Sequence, residues 1–134
     1  MGWDVVHQAD LEWEARPAHE GQEPRHAAAL TEPANMNESR ARMWRYPPHT
    51  RGRRHLDPDQ EEVFVPLQGT LTMLLGEPGE RVDVEPGGVV VVHRGTPLQM
   101  RNETDEDLVC FVYGAPPVRA GADFLDDVEL PPRA

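Results

Sequence analysis

A chain of 134 residues, 38% hydrophobic and 28% charged, is long enough for one folded domain with a core. Its net charge of −11 sets most of the surface against polyanions, so nucleic acid is not an expected partner. The chain has no lysine, which excludes Schiff-base chemistry. Its one serine, Ser39, lies outside any nucleophile-elbow pattern, and its one cysteine, Cys110 in "LVCFVY", is expected to be a small buried hydrophobe.

The opening "MGWDVVHQADLEWE" is acidic and carries no long apolar segment, so it does not read as a signal peptide. Gly2 could suggest myristoylation, but Val6 stands where that motif wants serine or threonine. No apolar run approaches the ~20 residues that span a membrane, and the cytoplasm is the default location. "DLEWEARPAHEGQEPRH" is broken by Pro17, Gly21 and Pro24 and reads as an arm on the body. Trp3 and Trp13 would anchor it, either on the body or on a partner chain. Arg25–Thr31 reads as a short strand.

From Arg40 the pattern sharpens. "RARMWRY" reads as a strand stopped by Pro47 and Pro48. "EEVFVPLQG" and "TLTMLLG" read as two strands turning near Gly69, "GEPGE" as a tight turn, and "RVDVE" alternates with period two. "VVVVH", "LQMRN" and "LVCFVYG" complete the series, the last two separated by the acidic turn "ETDED". The tail has room for at most one short helix near "ADFLDDV". About eight short strands, spaced roughly ten residues apart with no helical segments between them, predict an all-β sandwich or barrel. No phosphate-binding glycine motif is present. Six of the thirteen arginines fall between Arg40 and Arg54. They read either as a solvated strand edge or as an anion-binding rim near a pocket.

One stretch is more specific: "HTRGRRHLDPDQEEVFVPLQG". His55, Glu62 and Gly69 fall in register with the first motif of the cupin family, with Asp57 at its second histidine position. Gly87, Gly95 and Asn102 fall in register with the second motif, but His93 stands in place of its proline and Leu98 in place of its histidine. The sequence therefore resembles a small single-domain bacterial cupin over about Arg40 to Pro116. The resemblance implies an all-β, cupin-type double-stranded β-helix (jelly-roll) barrel at 40–116. An N-terminal arm with a first strand (1–39) would precede it, and a proline-rich acidic tail (117–134) would follow. It also implies a homodimer.

In the family the two histidines and the glutamate of the first motif bind one divalent metal together with the histidine of the second. Carried over, the possible ligands are His55, Asp57 and Glu62, with the fourth lost at Leu98. On an extended strand His55 and Asp57 would leave the same face. Such a set would suit Mn, Fe, Ni or Zn, with fewer nitrogen donors favouring oxygen-preferring ions such as Mn. His49 or His93 could replace the missing ligand. The other reading is metal-free: "HLDPDQEE" forms a polar turn, and His55 pairs with Glu62. Phe64, Leu98, Met100 and Asn102 are then expected to line the cavity. The leading functional reading is a barrel that binds a small organic molecule, anionic if the arginines line its mouth. The alternatives are a metal-dependent isomerase, decarboxylase or dioxygenase in which His55 and Glu62 are catalytic, and a structural dimer with a filled pocket.

Overall fold

The computed structural model describes residues 2–117 and 121–133. Parts of the predicted tail, residues 118–120 and 134, therefore lie outside the described residues. The order is a 3-10 turn (Gln8–Asp10), then β1 (Glu14–Ala15), β2 (His26–Ala29), β3 (Arg40–Tyr46), β4 (Thr50–Arg51), β5 (His55–Leu56) and β6 (Glu61–Gln68). It continues with β7 (Leu71–Leu75), β8 (Glu80–Val84), β9 (Val90–Val92), β10 (Leu98–Asn102), β11 (Leu108–Ala115) and β12 (Asp123–Phe124). The tail segment expected to hold at most a short helix instead supplies β12, which pairs with β5. Phe124 there meets the ring of His55 and the guanidinium of Arg53, contacts that an extended segment across the sheet edge allows.

Two antiparallel sheets face each other. One has the order β1-β2-β3-β11-β6-β9, the other β12-β5-β10-β7-β8, with β4 also on β10. Alternation along the strands sorts the side chains. Phe64, Leu71, Met73, Val90, Val92, Leu98, Met100, Leu108, Cys110 and Val112 point between the sheets and form the main core. The alternate positions of β3 and β11 (Ala41, Met43, Val109) face outward and would be costly to leave bare. The N-terminal arm covers them with Val6, Leu11 and Trp13. Trp13 is pinned further by the Arg45 guanidinium, 4.6 Å from its ring centre. Trp13 thus meets the expectation of an anchor, whereas Trp3 does not serve as one on this chain, being 85% exposed.

Turn chemistry fixes the registers. Gly69 has φ +79°, and a Cβ there would collide with the backbone at Asp107 and Leu108, so only glycine suits the β6–β7 turn. Asn102, expected in the cavity, is instead the knot of a loop crossing. Its Nδ2 donates to the carbonyls of Tyr46, Pro47 and Glu106, and its Oδ1 accepts from the amide and hydroxyl of Thr104. A fully buried amide with every group satisfied holds two turns together. Asn102→Ala leaves three carbonyls without this donor and should cost about 2–4 kcal/mol. Urea denaturation checks this; a loss under about 0.5 kcal/mol would contradict the structural role.

Candidate functional site

A chamber of ≈ 670 Å³ opens between the sheets, within the size range of small-molecule sites. The inward face of β3 supplies Arg40, Arg42, Trp44 and Tyr46, and β6 supplies Glu62 and Phe64. Met100 comes from β10, and Val112 and Gly114 from β11. The arm adds Arg16, His19 and Arg25, while Arg53, His55 and Phe124 stand on the remaining side. Among the described residues, five guanidiniums therefore face one carboxylate, that of Glu62. Among the described residues none of the five arginines takes part in an ion pair.

The arginines are held by groups that orient them without neutralising them. Arg25 is only 8% exposed. Its guanidinium lies 5.3 Å from the Trp44 ring centre and 5.4 Å from that of Tyr46, and Nη1 donates to Tyr46 Oη at 3.3 Å. Tyr46 in turn points its hydroxyl at Met100 Sδ, and its own pKa is raised by burial. Arg42 lies 5.8 Å from the Trp44 ring centre, and its pKa is lowered by burial and then by the like charges of Arg40 and Arg16. Arg40 donates Nε to Gln60 Oε1, and Gln60 is braced by the carbonyl of Pro116. Nε of Arg16 and Nε2 of His19 are buried with no hydrogen-bond partner among the described residues. The His19 pKa is lowered by burial, then by Arg51 and Arg25. The set is strongly electropositive inside a protein of net charge −11.

His55 and Glu62 do converge, as the motif spacing suggested, with His55 Nε2 3.9 Å from Glu62 Oε1. That separation is too long for a hydrogen bond. His55 Nδ1 lies 2.9 Å from the carbonyl of Arg53. A carbonyl only accepts, so Nδ1 carries a hydrogen, and Nε2 is the ring atom turned toward Glu62. Glu62 is 8% exposed and accepts no hydrogen bond from a described residue. Burial raises its pKa, opposed by the charge of His55.

Asp57 does not join this pair as a ligand. Its Oδ1 accepts the amides of Asp59 (3.0 Å) and Gln60 (2.9 Å), closing the polar turn. The same-face argument for His55 and Asp57 fails because β5 ends at Leu56, before Asp57 is reached. Leu98 lies directly across from His55 in register but is packed in the core and does not line the chamber. His93 is exposed and lies 2.9 Å from Glu61, and His49 is exposed and lies 2.6 Å from Asp105, so neither reaches the chamber. His49 has φ +56°, the left-handed conformation that glycine favours. Among the described residues no group of three His, Cys, Asp or Glu side chains could hold a metal ion. His55 and Glu62 supply two donors, Asp57 is spent on backbone amides, and Leu98 has none to offer. The residues present do not fit the family's metal centre.

Of the expected lining residues, Phe64 and Met100 are present, and Leu98 and Asn102 are not. The arginines, Trp44 and Tyr46 were readable in part. "RARMWRY" on a strand puts Arg40, Arg42, Trp44 and Tyr46 on one face. Arg16, His19 and Arg25 carried no such signal, because the arm has no period.

An all-β barrel of two facing antiparallel sheets, with a chamber between them lined by motif residues, is a double-stranded β-helix. The segment 42–114, more than half of the chain, matches the family model "Cupin domain", and the protein belongs to the cupin family. Solved structures agree on the fold. The polyketide cyclase RemF from Streptomyces resistomycificus is 20% identical with TM-score 0.76, covering 94% of this chain and 87% of that one. A "predicted oxalate decarboxylase" from Thermotoga maritima is 18% identical with TM-score 0.72, covering 84% and 98%. A sugar phosphate isomerase from Silicibacter pomeroyi is 18% identical with TM-score 0.70, covering 83% and 74%. At these identities the likeness is one of fold. No curated protein matches the chain.

Because the Glu62 pKa is raised in the folded state, the folded protein holds this proton to higher pH than the unfolded chain does. Stability therefore falls as pH rises from the unfolded carboxyl pKa through the folded one, and the penalty persists above it. Glu62→Gln should raise the melting temperature at pH 8, with the gain shrinking toward pH 4.5. Thermal melts across that range check the sign; a stabilisation that grows as pH falls would contradict it.

Proposed function

We propose that the protein binds a small organic anion in the barrel chamber. The observation that carries the reading is the set of five guanidiniums facing a single carboxylate, none of them ion-paired among the described residues. Arg25 is buried and Arg16, Arg40 and Arg42 are half-buried, while Arg53 is exposed at the rim; a desolvated cation is costly unless it is matched, and a ligand carrying negative charge supplies the match. Guanidiniums laid against aromatic rings are pre-set for planar, two-pronged recognition of carboxylate or phosphate. Two of the structural neighbours bear names that involve anions, oxalate and a sugar phosphate, which is consistent with this use of the fold.

A catalytic reading has its own observation, the His55–Glu62 pair. An imidazole whose Nε2 faces a buried carboxylate is a proton-transfer couple, as isomerase or cyclase chemistry on the bound anion would need. We further propose that two copies pair. β9 is the outer strand of its sheet, and it leaves Val91 exposed, as is Val89 just before it.

Calorimetric titration at low salt with mono-, di- and tricarboxylates and phosphomonoesters, against uncharged sugars, tests the binding reading. At least one anion should bind, weakening as salt rises, and Arg42→Gln should reduce its affinity about tenfold. Indifference of the protein to every anion would remove the proposal. Light scattering should report twice 15.1 kDa; the single-chain mass would remove the pairing.

A further inference from the structure

The chamber imposes two demands on its occupant, and together they narrow the class. This inference rests on the anion reading above and deepens it. The first demand is charge. Arg16, Arg25, Arg40, Arg42 and Arg53 line the space, and Glu62 is the one acid among the lining residues. A single negative charge would leave most of that excess unmatched. Arg25 is more than nine-tenths buried, with Tyr46 Oη as the hydrogen-bond partner of its side chain. Its other guanidinium nitrogens have no protein hydrogen-bond partner among the described residues, which leaves them free for an anion in the chamber. Arg42 is half-buried on the same sheet face as Arg40, and like charges from Arg40 and Arg16 press on it. Two anionic groups, one at Arg25 and one at the Arg16–Arg40–Arg42 set, would relieve both.

The second demand is a hydrogen-bond donor. Glu62 is buried, lines the chamber and accepts no hydrogen bond from a described residue. The atom of His55 turned to it is Nε2, 3.9 Å away, too far for a hydrogen bond. A carboxylate that faces the chamber with no protein donor is served by water while the chamber is empty, and a ligand that displaces the water must supply a donor or leave a costly unpaired group. Arginine N–H groups on the ligand side of the chamber are drawn to the anion. The missing donor is then a hydroxyl of the ligand.

We propose that the occupant is a hydroxylated organic dianion: two carboxylates, or a phosphate ester, carrying a hydroxyl that donates to Glu62 and lies within reach of His55 Nε2. Dicarboxylate and phosphomonoester share the dianionic chemistry, and the arginines accept either.

Calorimetry on the purified full chain separates the possibilities. The dicarboxylate arm compares malate with succinate; the phosphate arm compares glycerol 3-phosphate with ethyl phosphate; lactate serves as a hydroxylated monoanion. In at least one arm the hydroxylated dianion should bind about tenfold or more tighter than both its deoxy partner and lactate. The arm that shows this identifies the anionic group. Glu62→Leu should abolish the hydroxyl preference while leaving the deoxy dianion bound at least as tightly, since a negative charge has been removed. Arg25→Gln should weaken both members of the pair about tenfold or more. Arg42→Gln, at a half-buried position, makes the same test where Arg25→Gln fails to fold. Lactate binding as tightly as the dianions overturns the inference, as does the absence of a hydroxyl preference in both arms or its persistence in Glu62→Leu. In each of these cases anions still bind, so the anion reading survives; no binding of any anion defeats that reading instead.

Discussion

Positive charge held in a β-barrel without its own counter-charge is the constraint around which this molecule is organised. A guanidinium is more weakly hydrated than an ammonium, so it tolerates such a place better. The absence of lysine from the chain is in keeping with this. Even so, Arg25 would not stay where it is on solvation grounds alone. Trp44 and Tyr46 hold it by their ring faces, and the tyrosine hydroxyl fixes one end. Gly52 completes the seat, because a Cβ at that position would meet the Tyr46 hydroxyl and come within 3.3 Å of Arg25 Nη1. The fold thus supplies stiffness where it withholds neutralisation. That combination raises the free energy of the empty chamber and lowers the reorganisation needed to fill it.

The same logic explains how the acidic groups are distributed. Twenty-four acidic residues give the chain its negative balance, yet one of them lines the chamber. Several of the others are spent locally. Asp57 caps a turn, Glu77 pairs with Arg54, and Asp127 pairs with Arg51. Arg51 and Arg54 belong to the same run of arginines as Arg53, but each is drawn to an acid on a neighbouring segment, while Arg53 lies over Phe124 beside the chamber. The two sequence readings of that run, solvated edge and anion rim, both describe part of it. Arg40, Arg42 and Arg53 line the site, whereas Arg51 and Arg54 lock the C-terminal tail.

The architecture was legible because it depends on two signals that survive in a single sequence. Period-two alternation located β8 and β10, runs of strand-forming residues located β3, β6, β7 and β11, and glycine and proline located the turns between them. The site was legible only where the backbone did what alternation assumes. Glu62 and Phe64 lie on a continuous eight-residue strand, and both face the chamber as their shared parity requires. Asp57 follows a strand of two residues and precedes proline, so turn chemistry overrode parity. Asn102 kept its motif position for a structural reason, the crossing of two loops, which spacing does not distinguish from ligand contact. Arg16, His19 and Arg25 reach the chamber through tertiary placement of the arm, and a segment without period leaves no trace of where it docks.

That last point bears on how one barrel comes to serve different ligands. The family-matched segment, 42–114, contributes His55, Glu62, Phe64, Met100 and part of the arginine set. Arg16, His19, Arg25 and Arg40 precede it, and Phe124 follows it. The arm docks because β3 and β11 expose apolar side chains on their outer face, and covering them brings β2 alongside β3. Arg25, immediately before β2, is thereby delivered to the inner side, where its guanidinium meets rings from the opposite parity of the same strand. Hydrophobic cover on one face of the sheet is what places charge on the other. The barrel is thus fixed by its core, while the chemistry of its chamber is set largely by segments that the core requires only as a lid.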